Sequence, residues 1–201
     1  MADVLCEPGD RIGYVYFPAE SFISLAAPID GRASLEVGLI GNEGMLGLPL
    51  ILGINVSPQR ALVRGSGKAL RMQAAAFNQE LTINPALHQG LNRYLHALMV
   101  QFAQTAACTR FHSLDARLAR WLLMTHDRAH SDSFHLTHDF LADMLGVRRV
   151  GVTKAAGDLQ RTNLISYRRG EITVVNRSGL ERAACGCYQA MKDTYREVLQ
   201  S

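Results

Sequence analysis

The order of four short elements between residues 137 and 176 constrains the fold more than any other feature of the sequence. Residues 137–145 have the apolar spacing of a short amphipathic helix, and Gly146 then permits a tight turn, because glycine adopts positive φ at little cost. A second amphipathic helix is predicted over 148–162, and two alternating runs in 164–176 predict a hairpin. Helix, glycine turn, helix and hairpin in this order predict a winged helix-turn-helix.

The second of these helices presents basic side chains on the face opposite its apolar one, and the hairpin tip is basic as well. Arginine can bond the N7 and O6 atoms of guanine as a fork, whereas basic residues on a hairpin can reach phosphates. The segment is therefore interpreted as a reader of double-stranded DNA. Its predicted contact residues are Thr137, His138, Arg148, Arg149, Gly151, Lys154, Tyr167, Arg168 and Arg169.

Thr137 also suits the N-cap of the first helix, and Gly151 is counted among the contact residues because a small residue lets the backbone approach DNA closely.

Two functions other than DNA binding are alternatives to this interpretation. A winged helix can instead bind another protein, but such a surface need not place arginine both on the helix and at the hairpin tip. The sequence offers no local Ser-His-Asp, Cys-His or paired-carboxylate arrangement, so it is not expected to be an enzyme.

The distribution of charge also favours the C-terminal part as the DNA-binding region. The formal net charge of the 201-residue chain is only +3. Residues 1–112 carry eight basic and eight acidic side chains, so the whole excess lies in 113–201, where thirteen oppose ten. The chain begins without the apolar run of a signal peptide, and its longest apolar stretch, 44–54, is too short to span a bilayer. These observations predict a cytoplasmic protein with no membrane partner.

The N-terminal part has the pattern of a small β domain followed by a long helix. Residues 1–76 contain short alternating or β-branched runs separated by turn-rich segments, which predicts a barrel, sandwich or roll. Residues 84–112 then follow a helical pattern with one apolar stripe. The stripe consists of Leu87, Leu91, Leu95, Leu98 and Phe102. Taken alone, such a helix is expected to pack on its own β domain, and pairing with a second copy is the alternative.

The end of the chain contains two more helical patterns and a pair of cysteines. Residues 113–129 predict an amphipathic helix, and residues 178–199 predict a single closing helix with Ser178 as its cap. Cys185 and Cys187 stand two positions apart, which prevents both thiols from facing the same way on a helix, so packing is their expected role and redox or metal chemistry the alternative. The other cysteines, Cys6 and Cys108, are far away in sequence, which favours a reducing compartment over a disulfide framework.

The segment "LTHDFLADMLGVRRVGVTKAAGDLQRTNLISYRRGEITVVN" (136–176) and the stretch "SLEVGLIGNEGMLGLPLILG" (34–53) resemble the Crp/Fnr superfamily of bacterial transcription regulators. The resemblance covers nearly the whole chain and implies an α+β fold. It implies a β-roll sensor domain (a cyclic-nucleotide-binding-like jelly roll) over 1–83, a dimerisation helix over 84–112 and a winged helix-turn-helix over 113–201. It also implies a homodimer on a two-fold symmetric operator, with RNA polymerase as a candidate partner. The apolar stripe of the long helix then becomes the dimer interface.

Departures from the family pattern concern the effector. Members that bind cyclic nucleotides have a Gly-Glu pair, whose glutamate binds the ribose, and later an Arg-Ser/Thr pair, which binds the cyclic phosphate. The sequence here has leucine after Gly47 and alanine after Arg60. Those members also have a Thr-Ser pair in the dimer helix that contacts the base of the nucleotide. This pair is absent here, and the equivalent position is near Phe102. An effector pocket is still expected around Gly47, Arg60 and Phe102, but for an unknown effector. Arg60 either binds an anion inside the roll or forms a surface ion pair.

Iron–sulfur and metal chemistry are not expected either. The oxygen-sensing branch holds its cluster with several N-terminal cysteines, whereas Cys6 stands alone there. Four histidines lie close together in sequence, at His126, His130, His135 and His138. Zinc is one interpretation of them, but the intervening residues have the composition of a solvated linker, and no metal site is assigned. The phosphate-loop-like stretch "RGSGKA" (64–69) is interpreted as a turn.

In the DNA-reading segment, Val150 stands where the family has glutamate, so the preferred operator sequence is expected to differ from that of other members.

Overall fold

The computed structural model describes residues 3–29, 33–65, 67–129 and 131–199. It confirms the α+β class predicted from the sequence, with an N-terminal sheet region, a long central helix and a C-terminal helix-turn-helix. All strand pairs are antiparallel. His130 of the histidine group lies outside the described residues.

The N-terminal region is a β-roll whose strands alternate with turn-rich loops. Its strands are β1 (Val4–Cys6), β2 (Tyr14–Pro18), β3 (Phe22–Ile29), β4 (Ala33–Ile40), β5 (Arg60–Arg64) and β6 (Ala69–Gln73). One sheet has the order β1-β5-β3-β4, and β2 pairs with β6 in a second sheet. A short 3-10 helix, Leu48–Leu52, connects β4 to β5, and the β5–β6 connection includes residue 66, which lies outside the described residues.

Two helices follow the roll and cover it. Helix α1 (Ala74–Ile83) leads into the 27-residue helix α2 (Pro85–Phe111). Asn84 caps α2, because its side-chain oxygen accepts a hydrogen bond from the Leu87 backbone N–H at 3.0 Å. Most of the buried aromatic and aliphatic residues of the roll form one hydrophobic cluster with Phe77 of α1 and the inner face of α2.

The apolar stripe of α2 packs within the chain and not on an outward face. Leu91 and Leu98 are buried in the roll cluster, and Leu87, Leu95 and Phe102 pack against it. Leu91 and Leu98 are therefore covered by the roll and do not form an exposed dimer interface, contrary to the expectation from the family resemblance, whereas the other three residues are only partly buried. The physical reason is that the roll has an open apolar side, and burying it against the stripe removes both surfaces from water.

The winged helix-turn-helix is built around a second hydrophobic cluster, which also includes Phe22 of β3 and Leu39 of β4 from the roll. Its elements are α3 (Leu114–Ala129), β7 (Ser133–His135), α4 (His138–Leu145), α5 (Arg149–Arg161), β8 (Ile165–Arg168), β9 (Glu171–Val174) and α6 (Arg177–Ala183). The three strands form a sheet of order β7-β9-β8. Buried residues of α3, α4 and α5 pack with those of the sheet, which fixes α5 on the outside of the domain.

The closing helix predicted over 178–199 is broken. Asn176 and not Ser178 caps α6, since its side-chain oxygen accepts from the Gly179 N–H at 2.9 Å. The chain leaves helical geometry at Ala184, and α7 (Cys187–Leu199) begins three residues later. Helix α7 runs back along α2, and Tyr195 and Leu199 reach the roll cluster.

Buried polar contacts join the roll to the winged helix-turn-helix. In the first, Glu36 of β4 accepts hydrogen bonds from the Trp121 indole at 2.6 Å and from the Ser24 hydroxyl at 2.5 Å. In the second, Arg128 of α3 pairs with Glu43 at 2.7 Å. Because both partners of each contact are largely withdrawn from water, these contacts fix how the two parts meet.

Candidate nucleic-acid interface and effector cavity

The turn between α4 and α5 has the geometry predicted from the sequence. The Thr137 hydroxyl accepts a hydrogen bond from the Phe140 backbone N–H at 3.2 Å and so caps α4. Gly146 ends α4 at φ 64°, a left-handed conformation that glycine adopts without strain. Arg148 takes the N-cap position of α5 in an extended conformation. The first turn of α5 consequently begins at Arg149, one residue later than predicted.

The first turn of α5 is open to solvent. Arg148, Arg149 and Lys154 are exposed, and Arg149 lies 3.4 Å from Asp139 in an ion pair whose side chains are 67% and 69% exposed. An ion pair this exposed contributes little to stability, so the guanidinium is available to another partner. Val150 is 74% exposed, which leaves an apolar group beside the arginines.

Gly151 does not lie where the sequence interpretation put it. A Cβ atom at Gly151 would come within 3.0 Å of the Leu114 side chain, so this residue faces the start of α3. The small residue allows α5 to pack closely on α3, and the approach of its backbone to DNA stays a prediction.

His138 connects α4, α5 and the hairpin. Its ring stacks on Tyr167 with the centroids 4.3 Å apart, and its Nδ1 atom lies 3.0 Å from the Thr153 hydroxyl of α5. Its Nε2 atom is buried without a hydrogen-bond partner among the described residues. Burial, followed by the charge of Arg149, lowers the pKa of His138. The neutral ring therefore holds the hairpin against α5.

The hairpin tip carries two exposed arginines. Arg168 ends β8, and Arg169 takes a left-handed conformation at φ 53° beside Gly170 at φ 82°. Gln160 of α5 accepts a hydrogen bond from the Tyr167 backbone N–H at 2.8 Å, which ties the hairpin to the second helix. The exposed basic groups of α5 and of the hairpin thus belong to one rigid unit.

Comparison with known proteins identifies this unit. Residues 116–183 match the family model described as the Crp-like helix-turn-helix domain. The chain is also similar to the global nitrogen regulator of Nostoc sp. PCC 7120, with 25% identity over 177 residues that cover 83% of this chain and 79% of the relative. The chain is a DNA-binding transcription regulator with a Crp-like helix-turn-helix domain.

Other known proteins are similar to the regulator, in sequence or in structure, along most of its length. The global nitrogen regulator of Synechocystis sp. PCC 6803 is 25% identical over 179 residues, covering 84% of the chain and 79% of the relative. A CRP-family transcriptional regulator of Thermus thermophilus superposes with a TM-score of 0.74 at 20% identity, over 91% of this chain and 93% of that one. FixK2 of Bradyrhizobium japonicum gives a TM-score of 0.76 at 13% identity, over 92% and 93%. These two structures support the fold.

The regulator contains an apolar cavity of about 460 Å³ between the roll and α2. Aliphatic and aromatic side chains line it, including Leu25, Met45 and Leu98, and Arg11 is the one charged residue among its described lining. Gly47 and Phe102 line this cavity, so two of the three predicted effector-pocket residues are brought together.

Arg60 is not part of the cavity. Its Nε atom lies 3.0 Å from a Glu7 carboxylate oxygen, and the side chains of the two are 40% and 49% exposed. The surface ion pair is therefore the correct alternative, and the prediction of Arg60 as a pocket residue was wrong. The reason is that β5 begins at Arg60, at the edge of the roll's interior, where an acidic loop residue lies close enough to pair with it.

Four metal-binding side chains that the sequence analysis did not connect lie together at the end of α2. They are Cys108, His112, Cys185 and Cys187, and we call them the thiol–imidazole cluster. Their ligand atoms all lie within 4.8 Å of one another. The sequence assigned no metal site, and the structure shows in this cluster a group of side chains that could hold an ion. The signal that could have revealed it is the Cys-x-x-x-His spacing of one helical turn, which places Cys108 and His112 on one face.

Among the described residues, none of the helices is both long enough and apolar enough to cross a bilayer.

Proposed function

We propose that the regulator binds a two-fold symmetric operator as a homodimer and that an apolar effector in the roll cavity controls this binding. In this proposal residues 1–83 form the sensor, 84–112 the dimerisation helix and 113–201 the DNA-reading domain. The observation that carries it is the single basic surface formed by the exposed first turn of α5 and the hairpin tip. Both are mounted rigidly on a Crp-like helix-turn-helix.

The dimer interface we propose is the outward face of α2. Exposed residues recur on this face in steps of three and four, opposite the face that covers the roll. They are Asn92, His96, Met99, Ala103, Ala106 and Arg110. Met99 is 60% exposed, and the small residues Ala103 and Ala106 let two helices approach closely. Two copies paired here would place their α5 helices for half-sites about 34 Å apart, one turn of DNA.

Specific contacts are assigned to the first turn of α5. Arg149 is proposed to bond a guanine in the major groove, with Arg148 and Lys154 on flanking phosphates or bases. Val150 supplies an apolar group of the kind that contacts a thymine methyl. Arg168 and Arg169 bind phosphates from the hairpin and add affinity at every sequence.

The effector we infer is apolar and of small-molecule size. A cavity of about 460 Å³ falls in the range of ligand pockets, and aliphatic groups dominate its lining. A cyclic phosphate would need several hydrogen-bond donors and a compensating charge, whereas the described lining offers one cation, Arg11, and few other polar side chains, namely Tyr14, Tyr16, Ser57 and Gln59.

The connection from cavity to reader runs through the middle of α2. Phe102 lines the cavity, and the preceding residue, Gln101, is fully buried. Its side-chain oxygen accepts from the Leu39 N–H at 2.6 Å, and its amide donates to the Tyr195 hydroxyl at 2.7 Å. A ligand that displaces Phe102 would shift α2 against β4 and α7 together. Such a ligand controls DNA binding only if its affinity differs between the two arrangements.

The DNA-binding proposal is tested by fluorescence anisotropy with promoter fragments at two salt concentrations. Binding through several phosphates should weaken steeply as salt rises, since each neutralised phosphate releases counterions. Affinity that does not change with salt, or that is absent for every fragment, would support a protein-binding role of the winged helix instead. Because the chromosome is the target, we place the regulator in the bacterial cytoplasm, with RNA polymerase as a candidate partner.

A further inference from the structure

The thiol–imidazole cluster is formed by two segments that are far apart in sequence. Cys108 lies in the last turn of α2, and His112 follows directly after the helix. Cys185 lies in the break between α6 and α7, and Cys187 begins α7. Because the backbone is not helical at this break, side chains two positions apart can turn toward the same point. The prediction that Cys185 and Cys187 must diverge was wrong for this reason.

The distances within the cluster fit one ion. The Cys108 and Cys185 sulfurs are 3.5 Å apart, and the Cys187 sulfur lies 3.4 Å from Nδ1 of His112. Around a tetrahedral zinc ion, with Zn–S near 2.3 Å, two sulfurs lie about 3.8 Å apart. An iron–sulfur cluster contains at least two irons, so its four ligands are shared among different iron atoms and cannot all lie as close together as the ligands of one ion.

The surroundings also suit a metal–thiolate centre. The three cysteines are buried, whereas His112 is exposed and leaves a route of entry for an ion. The Gln104 amide donates a hydrogen bond to the Cys187 sulfur at 2.8 Å, as outer-shell donors to thiolate ligands do. Zinc with three thiolates carries a net charge of −1, and the cationic side chains of Arg117 and Arg120 interact electrostatically with the cluster.

We propose that Cys108, His112, Cys185 and Cys187 form a tetrahedral site for one divalent ion of the zinc class. Three thiolates and an imidazole favour zinc over the harder magnesium or calcium ions. A disulfide between Cys108 and Cys185 is the competing chemistry, but it would not account for the convergence of Cys187 and His112 on the same point.

The position of the site indicates the structural role that a bound ion would have. The chain enters the winged helix-turn-helix just after His112 and leaves it just before Cys185. An ion held by all four ligands therefore joins both ends of this domain to the end of α2. Arg117, beside the cluster, also donates to the Leu145 carbonyl at the end of α4, next to the turn that leads into α5. Metal loading should accordingly fix the orientation of the DNA-reading surface, a consequence that rests on the proposed function.

The site is tested with the full-length protein, purified with its thiols reduced and titrated with Zn²⁺ and with Co²⁺ as a spectroscopic probe. We expect one ion per chain and, with cobalt, the visible absorption of a tetrahedral complex together with a thiolate-to-cobalt charge-transfer band. His112→Ala should weaken binding at least about tenfold. Because His112 is exposed, this variant is expected to fold even if Cys108→Ser and Cys187→Ser do not. Cys6→Ser, in β1, is the matched control and should bind normally.

Several results would overturn the site. They are the absence of stoichiometric binding by the reduced protein, full binding by both His112→Ala and Cys187→Ser, and co-purified iron with inorganic sulfide. A Cys108–Cys185 disulfide as the stable form under reducing conditions would do so as well. None of these measurements involves DNA, so they distinguish failure of the site from failure of the DNA-binding proposal. The consequence for DNA is measured separately, as loss of operator affinity on chelation in the wild type but not in His112→Ala.

Discussion

The DNA-reading surface and the junction between the roll and the winged helix-turn-helix are built in opposite ways. The reader comes from one continuous segment, its basic groups are exposed, and few of them contribute to stability. The junction brings together β4, α2, α3 and α7, and its polar groups are buried in pairs or clusters. Substitutions in the reader should therefore change DNA affinity alone, whereas substitutions at the junction should change stability or the relative position of the two parts.

The largest effect on DNA binding is expected from a charge on the outward face of α2. Ala103→Glu places two carboxylates against each other in the proposed dimer and should give monomers in sedimentation. Operator affinity should fall by at least about 100-fold, because two linked half-sites bind far more tightly than one. Ala76→Glu introduces the same change at an exposed position of α1 and serves as the control. A variant that remains dimeric would exclude this face as the interface.

At the junction, Glu36 should make stability depend on pH. Burial raises the pKa of Glu36 from 4.5 to about 7, although hydrogen bonds from Ser24 and Trp121 and the charges of Arg64 and Arg120 oppose the shift. The folded protein therefore holds this proton more tightly than the unfolded chain does. The contribution of Glu36 is complete below about pH 4.5 and is lost as the pH rises to about 7.

The corresponding variant is Glu36→Gln, which keeps an acceptor for the indole but cannot ionise. Relative to wild type, its free energy of unfolding should gain on the order of 3 kcal/mol between pH 4.5 and 8. Urea unfolding at several pH values measures this difference, with Glu43→Gln as a comparison at the other buried contact. Parallel pH profiles for wild type and Glu36→Gln would contradict the assignment.

In the reader, Arg149→Ala should weaken operator binding by about 1–3 kcal/mol and relax the preference at one base pair. The unfolding midpoint should hardly change, since the ion pair of Arg149 with Asp139 is exposed. Arg196→Ala removes a similarly exposed arginine from α7 and should leave DNA affinity as it is. Operator affinity equal to that of the wild type would remove Arg149 from the base-reading surface.

The smallest effect is expected from Arg168→Ala at the hairpin. Specific and nonspecific DNA should lose affinity by a similar factor, and the slope of log affinity against log salt should fall by about one. Anisotropy titrations on both kinds of DNA over a salt series measure this. A loss confined to the operator would show that Arg168 reads bases and not phosphates.

The reader was largely predictable because its determinants are local. The Thr137 cap, the Gly146 turn and the hairpin each depend on neighbours within a few residues, so their spacing in the sequence predicts them. Two details were not predictable. Gly151 serves packing against Leu114, which depends on how α5 packs on α3, and His138 stacks on Tyr167, which depends on how the hairpin folds back on α4.

The face of α2 that covers the roll could not be chosen from the sequence. An apolar stripe indicates only that one face of a helix is buried, and either the roll or a second copy of the chain could bury it. Arg60 was ambiguous in the same way, since an arginine can bind a ligand or a nearby carboxylate, and the position of Glu7 decided between them.

The sequence by itself determined the class of fold, the winged helix-turn-helix and the exposed arginines of the reader. These follow from hydrophobic period, capping and turn chemistry, which act over a few residues. Only the tertiary structure decided that Cys108 and His112 meet Cys185 and Cys187, across more than 70 positions of chain. That meeting requires α7 to run back along α2 after a break in the backbone, and no local pattern encodes the direction in which a helix returns.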